Sequence, residues 1–268
     1  MYFCAEFETT MYDYLTKLHK KVLFSLDDVV DITNNKRGAS SLLRNYQRNG
    51  LISKIRRNLY CVNNLATKLP EATKFQIASY LSPTATVVGH AAMEYYGFAH
   101  QTFYELTVAS VTRFTSFEFD GIRYIWIGVK NPNENVSPIG DSLTRVTSLE
   151  RTIVDCIDKI ELCGGVEELF NCISAIKYVD SQQLLQNLKF YDKIALYKKA
   201  GFILSLQDNQ LHLPKEFFDF CCEKSSHSTT MLTTLEPCPK YVSKWRLYIP
   251  DYINITNYDN VHQVTALP

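Results

Sequence analysis

The chain has 268 residues, 28 basic and 28 acidic side chains, and apolar residues at 46% of positions. That length and composition suit two folded domains with ample core and exclude a disordered or uniformly basic polypeptide. No run of about 18 apolar residues occurs, so no membrane-spanning helix is expected.

The neutrality is uneven. Residues 1–65 carry ten basic and six acidic side chains, and the remainder carries 18 and 22. A basic head on a mildly acidic body points to nucleic acid as a partner of the head. Met1-Tyr2-Phe3-Cys4-Ala5-Glu6 has neither a basic n-region nor an apolar h-region, so a signal peptide is not expected. The eight cysteines form no C-x-x-C pair, and they read as reduced thiols of a cytoplasmic protein.

In chain order, Thr10 to Lys20 reads as a first helix, with Tyr12, Leu15, Leu18 and then Val22 turned inward. Ser25-Leu26-Asp27-Asp28 starts a second, short helix with a hydroxyl cap and two aspartates at the positive end of the dipole. It ends at Thr33-Asn34-Asn35, residues that tolerate left-handed geometry. A third helix over Ala39 to Asn49 places Ala39, Leu42, Leu43 and Tyr46 on one face. Arg37, Ser41, Arg44 and Arg48 lie opposite, flanked by Ser40 and Asn45. Residues 32–70 hold eight basic side chains and no acidic one. A helix with a core face and an arginine-lined outer face suits a DNA major groove.

Gly50 terminates that helix. Leu51 to Ile55 and Leu59 to Val62 read as a hairpin joined by Arg56-Arg57-Asn58, with Asn58 at positive φ. Helix, helix, basic helix and basic hairpin in this order predict a winged helix-turn-helix over residues 1–66. The expected DNA contacts are Lys36, Arg37, Ser40, Ser41, Arg44, Asn45 and Arg48 from the third helix, and Lys54, Arg56 and Arg57 from the wing.

Residues 71–268 form the second expected domain. Helices are predicted at Glu71–Tyr80 and Val87–Gly97. Strands follow at Tyr104–Ala109, Phe114–Phe119 and Ile122–Val129, with Asp120-Gly121 as a hairpin turn. Asn131 to Gly140 is a polar loop, and Leu143–Val146 a further strand. Thr147-Ser148-Leu149-Glu150 reads as a capping box opening a helix through Ile160, on which Arg151 and Asp155 pair at i, i+4. More helices are predicted at Val166–Ile176, Ser181–Leu188, Lys193–Ser205 and Lys215–Cys222, then a polar loop at Ser225–Thr234 and a strand at Trp245–Ile249. The fold class expected is α+β: a winged helix-turn-helix, then a mixed α/β domain with a small, mainly antiparallel sheet and a helical C-terminal half.

No phosphate-binding, dinucleotide, metalloprotease or nucleophile-elbow motif is present, and no [DE]-x-K occurs, which speaks against a nuclease. Glu150 and Asp155 are the most tempting carboxylates, but a helix cap and an ion pair with Arg151 account for both. His90, beside Gly89 at a helix start, suits an anion contact, although a packed histidine is the commoner case. Cys221-Cys222 with His212 and His227 lacks zinc spacing. No catalytic residue, metal or cofactor is therefore expected.

Three segments together resemble the AbiEi family, the antitoxin half of bacterial type IV toxin–antitoxin systems. They are Gly50-Leu51-Ile52 with Arg57-Asn58-Leu59-Tyr60, then Ala85-Thr86-Val87-Val88-Gly89-His90-Ala91-Ala92, then Val146 to Asp155 (Val146-Thr147-Ser148-Leu149-Glu150-Arg151-Thr152-Ile153-Val154-Asp155). The resemblance covers roughly residues 8 to 210. It implies a winged helix that represses its own promoter and a second domain that counteracts a nucleotidyltransferase-like toxin without requiring a stable complex. Asn58 departs from the glycine common there, and the chain from Ser225 onward matches nothing in the family. The alternatives are a winged-helix regulator with a ligand-sensing second domain, and an enzyme fused to a DNA-binding module.

Overall fold

A computed structural model describes residues 13–129, 136–137, 143–225, 227–254 and 261–263. Tyr12 and most of the Asn131–Gly140 loop fall outside that set. The fold is mixed α+β, with helices and three small sheets.

Residues 13–19 form α1, which buries Leu15 and Leu18. β1 (Leu23–Phe24) leads to α2 (Leu26–Thr33). Ser25 accepts from the Asp28 amide while the Asp28 carboxylate accepts from the Ser25 amide, a reciprocal cap that satisfies two orphan donors. Asn34, at φ 50°, ends α2, and Asn35 caps α3 (Lys36–Arg48) by accepting from the amides of Arg37 and Gly38. β2 (Ile52–Arg56) and β3 (Leu59–Val62) then form an antiparallel hairpin, with β1 on the far side of β3.

Side-chain alternation gives this three-stranded sheet two buried faces. Phe24, Ile52 and Val62 pack with Leu15, Leu18, Val29, Ala39, Leu43 and Tyr46 of the three helices. Leu23, Ile55, Leu59 and Cys61 point the other way, into one core with Ala72, Ile77, Val87, Leu106, Val108, Phe114 and Tyr124. The expected boundary near residue 66 is a chain connection, and the two regions share a continuous core across it.

The central sheet has six strands in the order β6-β7-β5-β4-β9-β8. They are β4 (Thr86–Val87), β5 (Glu105–Ser110), β6 (Phe117–Phe119), β7 (Ile122–Gly128), β8 (Val136–Ser137) and β9 (Val146–Thr147). Three of its five pairings are antiparallel, β4 with β5, β6 with β7 and β8 with β9, so the expected antiparallel majority is narrow and the sheet is mixed. The longest pairing, β5 with β7, is parallel, and so is β4 with β9. The Asp120-Gly121 hairpin places β6 outside β7, which leaves the inner edge of β7 to pair with β5 in parallel.

α4 (Lys74–Tyr80) and α5 (His90–Tyr95) flank this sheet. A helix over Val87–Gly97 was expected. Thr86 and Val87 instead form β4, and Gly89 at φ 63° breaks the chain before α5 starts at His90. A Cβ on Gly89 would sit 2.9 Å from the Leu162 carbonyl oxygen.

The helical half comprises α6 (Leu149–Asp158), α7 (Val166–Ser174), α8 (Ser181–Tyr191), α9 (Ile194–Ser205), the short α10 (Asp208–Leu211) and α11 (Lys215–Lys224). Beyond them lies a four-stranded sheet in the order β10-β12-β11-β13, of which only β12, within Trp245–Ile249, is expected from the sequence. Its strands are β10 (Thr230–Met231), β11 (Lys240–Val242), β12 (Leu247–Ile249) and β13 (Val261–Gln263). Val242, Leu247, Ile249 and Trp245 carry it into the helical core. Trp245 lies so close to Gly201 of α9 that a Cβ there would overlap the indole.

Burial raises the Asp28 carboxyl, but hydrogen bonds from Lys21 and Ser25 and the Lys21 charge outweigh it, and its pKa falls below the ordinary carboxylate value. A depressed folded-state value adds stability above the unfolded pKa near about 4 and loses it as pH falls through the folded value. Acid unfolding of wild type should therefore be steeper below about pH 4 than that of Asp28→Asn. Denaturant midpoints taken at successive pH values check this; parallel curves would contradict it.

Candidate nucleic-acid interface

α3 begins at Lys36, three residues earlier than the periodicity indicated, because Asn35 supplies the cap. Lys36 and Arg37 thus occupy the first turn, where the helix dipole disfavours cations. Ala39, Leu43 and Tyr46 are buried, and Leu42 packs partly against the same core. On the opposite side Lys36, Arg37, Ser41, Arg44 and Arg48 are exposed, with Ser40 and Asn45 half-buried at the margins. Ser40 donates to the Lys36 carbonyl, the Arg44 guanidinium lies 3.4 Å from Ser41 Oγ, and Asn45 Oδ1 accepts from Asn49. Among the described residues, no ion pair joins any of the cations of this face.

Lys54 and Arg57 of the hairpin are exposed as well. Arg56 is not at the solvent tip where the sequence placed it. A bulge between Lys54 and Arg56 sets Arg56 opposite Leu59, and paired residues share a face. Its guanidinium lies over the rings of Phe117 and Phe114, at 5.3 Å and 5.9 Å. Arg56 therefore joins hairpin to body. Asn58 takes φ 59°, and its Oδ1 accepts from the Leu26 amide at 2.9 Å. A glycine can adopt that turn, but only a side chain like that of Asn adds a bond to the start of α2.

In the body, the residues singled out by sequence divide differently from expectation. Ser148 caps α6, accepting from the Arg151 amide at 3.2 Å. Glu150 does not close a capping box, because Arg151 occupies the third helical position; its Oε1 accepts from the Asp180 amide at 3.1 Å instead. Arg151 and Asp155 pair at 2.7 Å as predicted, but the pair is buried, with side chains only 10% and 13% exposed. Tyr191 donates to Asp155 at 2.5 Å, and Arg151 reaches the same hydroxyl at 2.6 Å. The guanidinium also lies over the rings of Phe190 and Tyr191. Burial lifts the Asp155 carboxyl above its ordinary value against the pull of Arg151 and Tyr191.

This network borders a cavity of about 400 Å³. Val88, Ala109 and Ile127 are among its apolar lining residues, and Lys159 and Lys193 also line it. Lys193 is engaged by Asp158 at 2.6 Å.

His90 is a packed histidine, with its ring against Phe103 and Nε2 3.0 Å from Glu168 Oε1. Glu168 is buried, and nothing in the sequence singled it out. Burial raises its carboxyl, but the amides of Gln101 and His100 and the His90 ring outweigh that, and its pKa falls below the usual value. His212, His227, Cys221 and Cys222 do not assemble into a ligand cluster among the described residues.

No protein-family model matches the chain, and comparison with curated proteins gives no match. Among solved structures it is similar to the RV2827C protein from Mycobacterium tuberculosis. The two share 13% identity and a TM-score of 0.61, over 89% of this chain and 90% of that one. At that identity the likeness shows the fold alone.

Removing one partner of a buried ion pair strands the other. Asp155→Ala should lower stability by about 3–5 kcal/mol, and Tyr191→Phe by about 1–3 kcal/mol. Urea denaturation of the full chain measures both; a loss within experimental error for Asp155→Ala would show the pair to be dispensable.

Proposed function

We propose that this chain is a DNA-binding repressor of its own promoter, with residues 13–62 serving as a winged helix-turn-helix. The observation that carries the reading is the α3 surface. It presents Lys36, Arg37, Arg44 and Arg48 to solvent with no ion pair among the described residues, opposite the buried Ala39, Leu43 and Tyr46. Two cations in the first turn cost helix stability, yet they bring positive charge to the end of α3 where the helix dipole also favours phosphate. Arg44, near the middle of the stripe, is placed for a guanine edge, with Ser41 beside it. Ser40 and Asn45 border the groove-facing side. Lys54 and Arg57 extend the cationic surface along the hairpin, where phosphate contacts are made.

The resemblance to the AbiEi family supports a second step. In this reading the protein is the antitoxin of a type IV pair in a bacterial cytoplasm, and its body counteracts a nucleotidyltransferase-like toxin. No stable complex between the two is required. The structural roles of Glu150, which accepts from the Asp180 amide, and of the buried Arg151–Asp155 pair favour a non-enzymatic body. Among the described residues no helix is long and apolar enough to cross a membrane. One observation favours the alternative of a ligand-sensing regulator: the cavity beside Arg151, lined by apolar residues and by Lys159 and Lys193.

With Arg44 on a base, the five other exposed cations (Lys36, Arg37, Arg48, Lys54 and Arg57) on phosphates would give log K against log salt a slope of about −4 to −5. Arg57→Ala should reduce that slope by about one unit, and Arg44→Ala should cost about 1–3 kcal/mol and relax preference at one base pair. Arg56→Ala should leave the slope unchanged and lower stability, because its guanidinium faces the body. Fluorescence anisotropy with the chain's own upstream DNA measures all three, and co-expression with the neighbouring gene product tests the antitoxin step. Absence of binding at low salt would overturn the repressor reading. Binding without rescue would retain the repressor and remove the antitoxin.

A further inference from the structure

We propose that His90, Glu168 and Cys172 form a buried site for a divalent transition metal of the zinc type. Glu168 and Cys172 are four residues apart on α7, so both side chains leave one face of that helix. His90, the first residue of α5, meets them from across the core. One ligand atom from each residue falls within a cluster no wider than 4.8 Å. Nε2 of His90 is 3.0 Å, and Sγ of Cys172 3.5 Å, from the same Glu168 oxygen. A tetrahedral metal with bonds of about 2.0 Å to N and O and about 2.3 Å to S requires ligand–ligand edges of about 3.3–3.5 Å. Imidazole, carboxylate and thiolate are the three protein donors that zinc accepts.

A second observation comes from the carboxylate itself. Glu168 Oε1 is engaged by His90, by the amides of His100 and Gln101 and by Cys172. Oε2 is buried and makes no hydrogen bond among the described residues. Simple anchoring does not explain a buried carboxylate with one oxygen crowded and the other bare, because a buried acceptor without a partner is costly. A cation held by both carboxylate oxygens would meet that demand while keeping Oε1 beside His90 and Cys172. The two amide bonds would then act as the outer contacts that orient a ligating carboxylate.

His100 completes the arrangement. Its Nδ1 stands 3.9 Å from Oε2, and its ring is 69% exposed, so it links the buried donors to solvent. It is the fourth ligand in this assignment. On binding, the Cys172 thiol gives its proton to solvent and His90 coordinates as neutral imidazole through Nε2, with its proton on Nδ1. No electron transfer is involved.

The site is separate from the proposed DNA face and stands or falls without it. The test uses full-length protein carrying no histidine tag, stripped of metal, reduced and titrated with cobalt(II) alone. One equivalent should develop the visible bands of tetrahedral cobalt and a near-ultraviolet thiolate-to-cobalt band, and zinc(II) should bleach both. Cys172→Ser should abolish the thiolate band, His100→Ala should weaken binding at least tenfold, and Cys221→Ser should change nothing. X-ray absorption of the zinc-loaded wild type should show one sulfur neighbour, which keeps the proposal testable if Cys172→Ser fails to fold. An octahedral cobalt spectrum, a zinc site without sulfur, or no stoichiometric binding would overturn it and leave Glu168 as a hydrogen-bonding anchor only.

Discussion

A three-stranded sheet buried on both faces is the constraint on which the rest of the molecule depends. Strand alternation sends Phe24, Ile52 and Val62 to the three N-terminal helices, and Leu23, Ile55, Leu59 and Cys61 to the body. A register slip of one residue would exchange those two sets, so the register is strongly specified. The hairpin therefore does not stand out as a free appendage. Arg56 over Phe114 and Phe117, and Asn58 on the Leu26 amide, fix its angle to the body and to α2. The exposed cations of α3 are thus carried on a surface whose orientation the body holds. In the proposed function, that would let an event in the body be felt at the DNA face.

The body is organised around two buried polar centres, each tying segments distant in sequence. Arg151, Asp155 and Tyr191 join α6 to the end of α8, and Glu168 joins α7 to α5 and to the chain at His100-Gln101. Both are ionic groups removed from water, so their value lies in complete partnering more than in net attraction. Each centre nevertheless keeps one buried atom without a hydrogen bond among the described residues, Nη1 of Arg151 and Oε2 of Glu168. Cys163 and Cys172 sit beside Glu168, and all the described cysteines are free thiols.

Local chemistry was legible in the sequence wherever a residue type dictates its own conformation. Ser25 with Asp28, Asn34 and Asn35 at the turn, Gly50, and Asp120-Gly121 all specify caps or turns without help from distant residues. The outward stripe of α3 followed from periodicity alone. Features set by long-range packing were not legible. Ile55 and Cys61 read as ordinary strand residues, and nothing local says that their face is covered. The bulge that turns Arg56 inward carries no glycine signal. Glu150 matched capping-box spacing, but the cap lies at Ser148, one residue later than expected, which frees Glu150 for Asp180. Of the four-stranded C-terminal sheet only β12 is legible, at Trp245–Ile249; the other strands are two or three residues long, too short for alternation to register. Glu168 lies in an amphipathic helix start beside Glu167, where two carboxylates ordinarily answer the dipole in solvent.

Amide-resolved NMR of the full chain, titrated with duplex from its own upstream region, tests the central claim most directly. Perturbations should concentrate on Lys36, Arg37, Ser41, Arg44, Arg48 and Arg57, and the Arg56 side-chain resonance should remain in place. Perturbations confined to the body, with α3 unmoved at saturating DNA, would contradict the proposed interface.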